Sequence, residues 1–383
     1  MKKWGSAIVA TMLTFSLAVA GCANQGQSSG SGSAGGDEIL VGVLLPVTGN
    51  NATDGKDMQN AIEMAVKKVN DAGGVLGKKL KIEVADDGCD PQMATTAANK
   101  LVSQNVVAVV GGYCSGATLP SSGVFKNANI PMIVPAANSA KLPAQGYDTL
   151  FLINGLTPDQ AQTAADYMAA NQAKKVALVH DNSAYAKDLA DFAKTAVEKS
   201  GGTVVAYEAI NPEEKDFSAL VTKLKGIGPE ATYFTGYYAA GGLMVKQFKQ
   251  KGVSGLFFVG DGSFSEDVIK IAGAENAEGL LITATPTAEF IEGAEAFTTE
   301  YKATYNNLAP GPFSALSYNA VNLLADALKR ANSTDRDALK KAIKETKDFK
   351  ALGQTISFNA QNTLDTSNFA VLKVAGGKFT LAK

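Results

Sequence analysis

Three constellations in this sequence hold residue types that could do chemistry. The first runs from Ala108 to Thr118, Ala-Val-Val-Gly-Gly-Tyr-Cys-Ser-Gly-Ala-Thr, and is preceded by Val106 and Val107. Its apolar start reads as a buried strand of a parallel sheet. Gly111 and Gly112 let the backbone turn sharply, and Ser115 falls where a helix should begin. A helix N-terminus presents unpaired N–H groups and the positive end of a dipole, so it suits an anion. The Ser115 hydroxyl can add a donor. The anion could be a phosphate or a carboxylate. No Gly-Lys-Ser/Thr follows the glycines and the spacing is not Gly-x-Gly-x-x-Gly, which favours a small carboxylate over phosphate. The alternative is a plain strand–helix turn. The second constellation is His180, Asp181 and Ser183 with Ser115, the residue types of a Ser-His-Asp hydrolase. No Gly-x-Ser-x-Gly elbow surrounds either serine, so His180 reads as a strand-end residue with a structural role. The third is Asp86, Asp87 and Asp90. Their spacing is not that of an EF-hand, and a solvated loop with an N-cap is expected. With three cysteines and one histidine, a tetrahedral zinc site is disfavoured too. Neither metal nor cofactor is expected.

The elements that must position these groups alternate strand and helix. Ile39–Leu45 reads as a strand, Pro46–Gly55 as a loop and Lys56–Asp71 as a helix. Met58, Ala61, Ile62, Ala65, Val66 and Val69 form that helix's apolar face at spacings of three and four. Lys79–Ala85 is a second strand, and Asp90 followed by Pro91 is an N-cap with proline at the first helical position. The central strand and turn come next, then a helix through Lys126 and a strand over Ile130–Val134. Thr157-Pro158-Asp159-Gln160 has capping-box spacing. Further strands are expected at Lys175–His180, Thr203–Tyr207, Ala231–Thr235, Leu256–Gly260 and Gly279–Thr283. Helices are expected from Tyr185 to Lys199 and from about Phe217, Ala239 and Ser265. The last helices are Gly293–Asn306, Ser314–Ala331 and Thr334–Lys347, and Thr355–Phe358 and Phe369–Leu381 are strand-like. This order means two parallel sheets of similar size, covered on both faces, in two lobes.

Ligands of open parallel sheets bind outside the carboxyl ends of the strands. The loops there are Pro46–Asp54, Gly112–Ser115, Pro135–Ser139, Asp181–Tyr185, Gly236–Tyr238 and Asp261–Ser263. They carry hydroxyls, aromatics and acids, and no lysine or arginine. An amino acid needs this mixture: donors for its carboxylate, an acid for its ammonium and apolar walls for its side chain. With 46% hydrophobic and 19% charged residues the chain is typical of a soluble protein of about two domains. A net charge of −2 and the lack of any basic run argue against nucleic acid as a partner.

Lys2 and Lys3 precede an apolar run from Ala7 to Ala20, the pattern of an export signal rather than a membrane span. The run ends Val19-Ala20-Gly21-Cys22, which resembles the lipobox of bacterial lipoproteins. The resemblance implies cleavage after residue 21 and lipidation of Cys22; a soluble export signal is the alternative. Residues 23–36, rich in Gln, Ser and Gly, read as a tether. Export to an oxidising compartment makes a Cys89–Cys114 disulfide the expected state, with two free thiols as the alternative.

Asp86-Asp87-Gly88-Cys89-Asp90-Pro91, Ala98-Asn99-Lys100, Tyr113-Cys114-Ser115 and Pro120-Ser121-Ser122 resemble the leucine/isoleucine/valine-binding proteins of bacterial ABC transporters. So do Val134-Pro135-Ala136-Ala137, Val179-His180-Asp181 with Tyr185, Glu214-Lys215-Asp216-Phe217-Ser218 and Thr235-Gly236-Tyr237. The resemblance covers Asp37 to the C-terminus. It implies a type I periplasmic-binding fold: two Rossmann-like lobes, a ligand cleft and a three-segment hinge. Residues 37–155 with 286–362 would form one lobe, and 156–285 with 363–383 the other. It also implies a family disulfide between Cys89 and Cys114.

By the same resemblance Ser115 holds the ligand carboxylate, the Ala136 carbonyl and Asp261 take the ammonium, and Tyr185, Tyr237 and Phe313 line the cleft with Tyr113 beside them. Two positions depart from the family: Asn138 replaces a threonine that contacts both ends of the amino acid, and Asp54 replaces a pocket aromatic. Asp54 either points to solvent or marks a polar or cationic ligand side chain. The function implied is that of a monomeric extracytoplasmic lipoprotein, not an enzyme. It would capture an L-amino acid, leucine, isoleucine or valine above all, and deliver it to a membrane permease. The alternatives are a sensor of the same fold serving a membrane receptor, a binder of a polar amino acid or other small carboxylate, and a secreted hydrolase.

Overall fold

The structure, a computed structural model, describes residues 38–366 and 369–382. The export signal, Cys22 and the tether lie outside the described residues. The first layer comprises β1 (Glu38–Leu45), α1 (Ala52–Asp71), β2 (Lys79–Asp86), α2 (Pro91–Ser103), β3 (Ala108–Gly111), α3 (Ser115–Asn127), β4 (Met132–Val134) and β5 (Leu150–Leu152). The second comprises α4 (Thr157–Ala170), β6 (Lys175–His180), α5 (Ala184–Lys199), β7 (Thr203–Ala209), α6 (Ser218–Ile227), β8 (Ala231–Phe234), α7 (Tyr238–Gln250), β9 (Leu256–Val259), α8 (Glu266–Ala272), α9 (Ala274–Ala277) and β10 (Leu281–Ala284). The chain then returns to the first layer with α10 (Glu295–Thr304), α11 (Ser314–Ala331), α12 (Arg336–Lys344), β11 (Phe349–Ala351) and β12 (Gln354–Ile356). It ends in the second with β13 (Ala370–Ala375) and β14 (Lys378–Leu381).

One sheet has the order β2-β1-β3-β4-β5 and is parallel throughout. The other has the order β14-β13-β10-β9-β8-β6-β7. The two sheets are therefore not the expected pair of similar size. The second has seven strands and is mixed, because β13 runs antiparallel to β10 and turns back into β14. The turn Gly376-Gly377, at φ 59° and 75°, makes a hairpin of what reads in sequence as one strand-like segment.

Burial on both faces explains the apolar runs. Val41, Val43 and Leu45 of β1 point into a core shared with α1 and α11, while Leu44 faces one shared with α2 and α3. Met58, Ile62, Ala65 and Val66 form the buried stripe of α1 that seals the first core. The α2 cap is as expected: the Asp90 carboxylate accepts from the Gln92 and Met93 N–H groups at 2.9 and 2.8 Å, with Pro91 following.

Three sequence expectations are corrected. Helix α1 begins at Ala52, not Lys56, with no side-chain cap. Asp54 is thus in its first turn, where a carboxylate complements the dipole, and not in a loop. The capping box at Thr157 does not form. Thr157 lies inside the helix; its hydroxyl donates to Asp188 at 2.7 Å and accepts from the Ala140 N–H at 3.2 Å, not from the N–H groups of its own helix. Finally, Asp87 is not in a solvated loop: it is fully buried. Its Oδ1 accepts from the Cys89 N–H at 2.9 Å, and burial, with Asp86 adding repulsion, pushes its pKa up to about 7.

Candidate functional site

The turn after β3 is as tight as its glycines require. Gly111 and Gly112 have φ 143° and 97°. A Cβ at Gly111 would lie 2.2 Å from the Leu44 carbonyl oxygen, and one at Gly112 2.8 Å from Thr118 Oγ1. Only glycine fits there, and Ser115 consequently arrives at the first residue of α3. Its buried hydroxyl accepts from the Ser139 N–H at 3.2 Å, which joins the β3 and β4 loops. The adjoining Cys114 is disulfide-bonded to Cys89, with Cα atoms 5.4 Å apart. The bond ties the turn after β3 to the loop after β2.

Asp261 enters from the other sheet, on the turn after β9, and is buried. Asn138, after β4, donates its amide to Asp261 Oδ2 at 2.9 Å. Gln160 of α4 donates to Asp261 Oδ1 at 3.1 Å and to the Thr283 carbonyl at 2.9 Å, and its Oε1 accepts from Asn138 at 3.3 Å. Burial pushes the Asp261 pKa up to about 6, against the opposing effect of Tyr185, Gln160 and Asn154. At neutral pH the group is still ionised, the state that attracts an ammonium.

Aromatic residues from both layers close around this acid. Tyr185 of α5 accepts from the Gly262 N–H at 3.3 Å. The ring of Tyr237, before α7, packs 5.5 Å from that of Tyr185 and 5.8 Å from that of Tyr113. Phe313, before α11, sets its ring edge against Tyr113 at 5.5 Å. Burial raises the Tyr113, Tyr185 and Tyr237 hydroxyls well above their ordinary range, so all three stay protonated. The Ala136 carbonyl accepts from the Asn154 amide at 2.8 Å, and its second lone pair remains. Ser115, Ala136, Asn138, Tyr113, Tyr185, Tyr237, Asp261 and Phe313 thus come together. Outside Tyr237 a cavity of ≈ 570 Å³ opens between the layers, bordered by Asn51, Cys89, Asp181 and Glu213.

Asp54 does not face water. It is buried, with Oδ2 accepting from the Tyr113 hydroxyl at 2.7 Å. Burial pushes its pKa up to about 7, with Asp57 adding repulsion. His180, Asp181 and Ser183 do not assemble with Ser115. His180 Nδ1 accepts from the Asn182 N–H at 3.1 Å, Asp181 from the Ser183 N–H at 2.9 Å, and Ser183 caps α5. Among the described residues no cluster of His, Cys, Asp or Glu is placed to hold a metal.

Sequence reading missed Gln160, Asn154 and Asp188. Gln160 was legible only as the third position of a capping box, which hid its turn toward Asp261. Asp188 of α5 accepts from the Ser139 hydroxyl (2.9 Å), the Ala140 N–H (2.8 Å) and the Thr157 hydroxyl (2.7 Å). It links the two layers beside the first chain crossing, and nothing in its helical sequence neighbours signals this.

Residues 38–378 match the family model described as periplasmic binding protein. The Leu/Ile/Val-binding protein homolog 3 of Brucella melitensis is 36% identical over 351 residues, 91% of this chain and 95% of that protein. The leucine-, isoleucine-, valine-, threonine-, and alanine-binding protein of Pseudomonas aeruginosa is 33% identical, over 93% of each chain. Among solved structures, the branched-chain amino acid transporter substrate binding protein LivJ of Streptococcus pneumoniae, in complex with isoleucine, superposes with a TM-score of 0.83. It shares 31% identity, over 90% of this chain and 99% of that one.

Proposed function

Because this chain belongs to the periplasmic binding protein family, we propose that it captures an L-amino acid between its lobes and hands it to the permease of an ABC transporter. The observation that carries the reading is the pairing of opposite requirements across one cleft. Ser115 opens a helix N-terminus on one side and meets the Ser139 N–H, and the buried Asp261 reaches from the other sheet to the adjoining Asn138. A zwitterion satisfies both ends at once: its carboxylate meets N–H and O–H donors, and its ammonium meets an acid. The amino acids bound by the relatives, as their names state, are of this kind.

In this reading Ser115 holds the carboxylate end, Asp261 and the Ala136 carbonyl hold the ammonium, and Asn138 stands where both ends can be contacted. Tyr113, Tyr185, Tyr237 and Phe313 wall the side chain. The lobes, residues 37–155 with 286–362 and 156–285 with 363–383, close by bending where the chain passes between them. The protein works outside the cytoplasmic membrane as a monomer, anchored through a lipid on Cys22, and does no chemistry on its ligand. Among the described residues no helix is long and apolar enough to cross a membrane.

Thermal-shift scans against the twenty amino acids, after unfolding and refolding to strip carried-over ligand, test the reading. A ligand at a hundred times its dissociation constant stabilises by about 2.7 kcal/mol, a shift of several degrees. If no amino acid raises the melting temperature, the amino-acid reading fails.

A further inference from the structure

Cys114 is the N-cap residue of α3. Its backbone, at φ −79° and ψ 121°, has the extended form that lets an N-cap side chain turn back onto its helix. Yet no side-chain bond caps this helix. The Cys114 carbonyl accepts from the Ala117 and Thr118 N–H groups at 3.1 and 2.9 Å. The Gly116 N–H, at the second helical position, meets no acceptor among the described residues. An N-cap side chain ordinarily takes an N–H of this kind, and this one adjoins Ser115, the residue assigned to the ligand carboxylate. The Cys114 sulfur has no charge with which to take it, because it is bonded to Cys89.

We propose that the Cys89–Cys114 disulfide is a redox gate on the binding site. Intact, it keeps the α3 N-terminus free for the ligand carboxylate; reduced by a dithiol, it leaves Cys114 as an anion that caps the helix and displaces that carboxylate. The inference rests on the amino-acid reading above and deepens it.

The chemistry is thiol–disulfide exchange. Cys89 is half-buried and Cys114 buried, and both border the cavity of ≈ 570 Å³ between the layers. A thiolate of the dithiol attacks Cys89 Sγ and forms a mixed disulfide there. The Cys89–Cys114 bond breaks, and Cys114 leaves with the electron pair as a thiolate. The second thiol of the reductant loses its proton to solvent and displaces the Cys89 sulfur, which takes up a proton. The dithiol ends as a disulfide, and two electrons have passed to the protein. Cys114 is the better leaving group because a helix N-terminus stabilises a thiolate, and the Asn51 amide nitrogen stands 3.8 Å from its sulfur. No lysine or arginine borders the cavity. The helix end and this amide therefore carry the stabilisation, against Asp87 beside Cys89 and Asp181 at the cavity wall.

The test is equilibrium dialysis of leucine against the full chain, before and after reduction with dithiothreitol verified by a gain of two thiols. Two variants, kept reduced with a trialkylphosphine, separate charge from tether. Cys89→Ala retains the Cys114 thiol, and Cys89→Ala/Cys114→Ala retains neither. Reduced wild type and Cys89→Ala should bind at least about tenfold more weakly than the oxidised chain, and the double variant should recover to within about threefold. Reduced wild type that binds as tightly as oxidised overturns the inference. An equal loss in the double variant also overturns it, because the tether is then responsible. The difference in ultraviolet thiolate absorbance between the two variants titrates Cys114 alone. Its pKa should lie below about 7.5, against about 8.5 for a free thiol, and an unshifted or raised value overturns the inference whether or not leucine binds. If a variant does not fold, the comparison of reduced with oxidised wild type still decides. If leucine does not bind even the oxidised chain, the amino-acid reading fails for that ligand and the gate falls with it.

Discussion

Asn138 donates its amide to Asp261 across 2.9 Å, from the β4 loop of one sheet to the β9 turn of the other, over a sequence separation of 123 residues. The bond draws the two faces of the cleft together at the acid assigned to the ligand ammonium. A ligand ammonium would compete with that amide for the carboxylate, and a charged donor outbids a neutral one.

Removal of either end of the proposed zwitterion clamp should weaken binding without unfolding the protein. Ser115→Ala and Asp261→Ala should each cost about 1.5–3 kcal/mol of affinity, the range for a charge-assisted hydrogen bond. Titration calorimetry reads this directly. Unchanged affinity in both variants would falsify the site.

Affinity should depend on pH through Asp261, whose pKa lies at about 6 without ligand. An ammonium beside it stabilises the ionised form, so binding below that pH must expel a proton. Affinity should be flat above about pH 7 and fall by roughly tenfold per pH unit below the pKa. The slope should vanish in Asp261→Asn. A wild-type affinity that is independent of pH between 4 and 7 contradicts the assignment.

Stability should fall as pH rises through the same region, for a different reason. Asp54 and Asp87 both have folded-state pKa values pushed up to about 7, from 3.8. The folded state therefore holds protons that the unfolded chain has already lost. Their contribution is fully present below about pH 4 and is lost as pH climbs through 7. Melting temperatures should be lower at pH 8 than at pH 5, and Asp87→Asn should flatten the slope. A steeper slope in that variant would sink the argument.

Asp188 gathers donors from three residues at the first crossing between the layers. Asp188→Ala leaves these donors without their acceptor and should destabilise by about 2–4 kcal/mol, the upper range for a buried network. Asp188→Asn, which keeps an acceptor oxygen, should cost less. Denaturant unfolding of both variants checks the order; equal stability of Asp188→Ala and wild type rules the link out.

The Cys89–Cys114 bond closes a loop over a sequence separation of 25 residues. Constraint of the unfolded chain by a loop of that size is worth about 3 kcal/mol. Reduction, verified by thiol counting, should lower the melting temperature by several degrees, and an unmoved transition would show that the bond does not stabilise.

Features set by neighbours in the chain were legible from sequence alone. The alternation of apolar strands with amphipathic helices implied parallel sheets, since only a sheet covered on both faces needs strands apolar throughout. Gly111 and Gly112 announced a turn that a Cβ would block, and with it the position of Ser115 at a helix start. Asp90-Pro91 marked its cap correctly because both capping partners lie within three residues. The three-residue strands β5 and β11 went unseen, being too short to display a period, and β12, read over Thr355–Phe358, begins one residue earlier at Gln354.

What tertiary structure decided involves groups brought together from distant parts of the chain. Asp54, read as a loop residue, is buried because α1 begins four residues earlier than expected and packs its first turn against Tyr113, 59 residues away. Gln160 and Asp188 sit on ordinary amphipathic helices, and their roles come from Asp261 and the β4 loop. Periodicity tells which face of a helix is buried. It does not tell which polar group waits across the interface, and in this cleft those polar pairings govern the charge of the site.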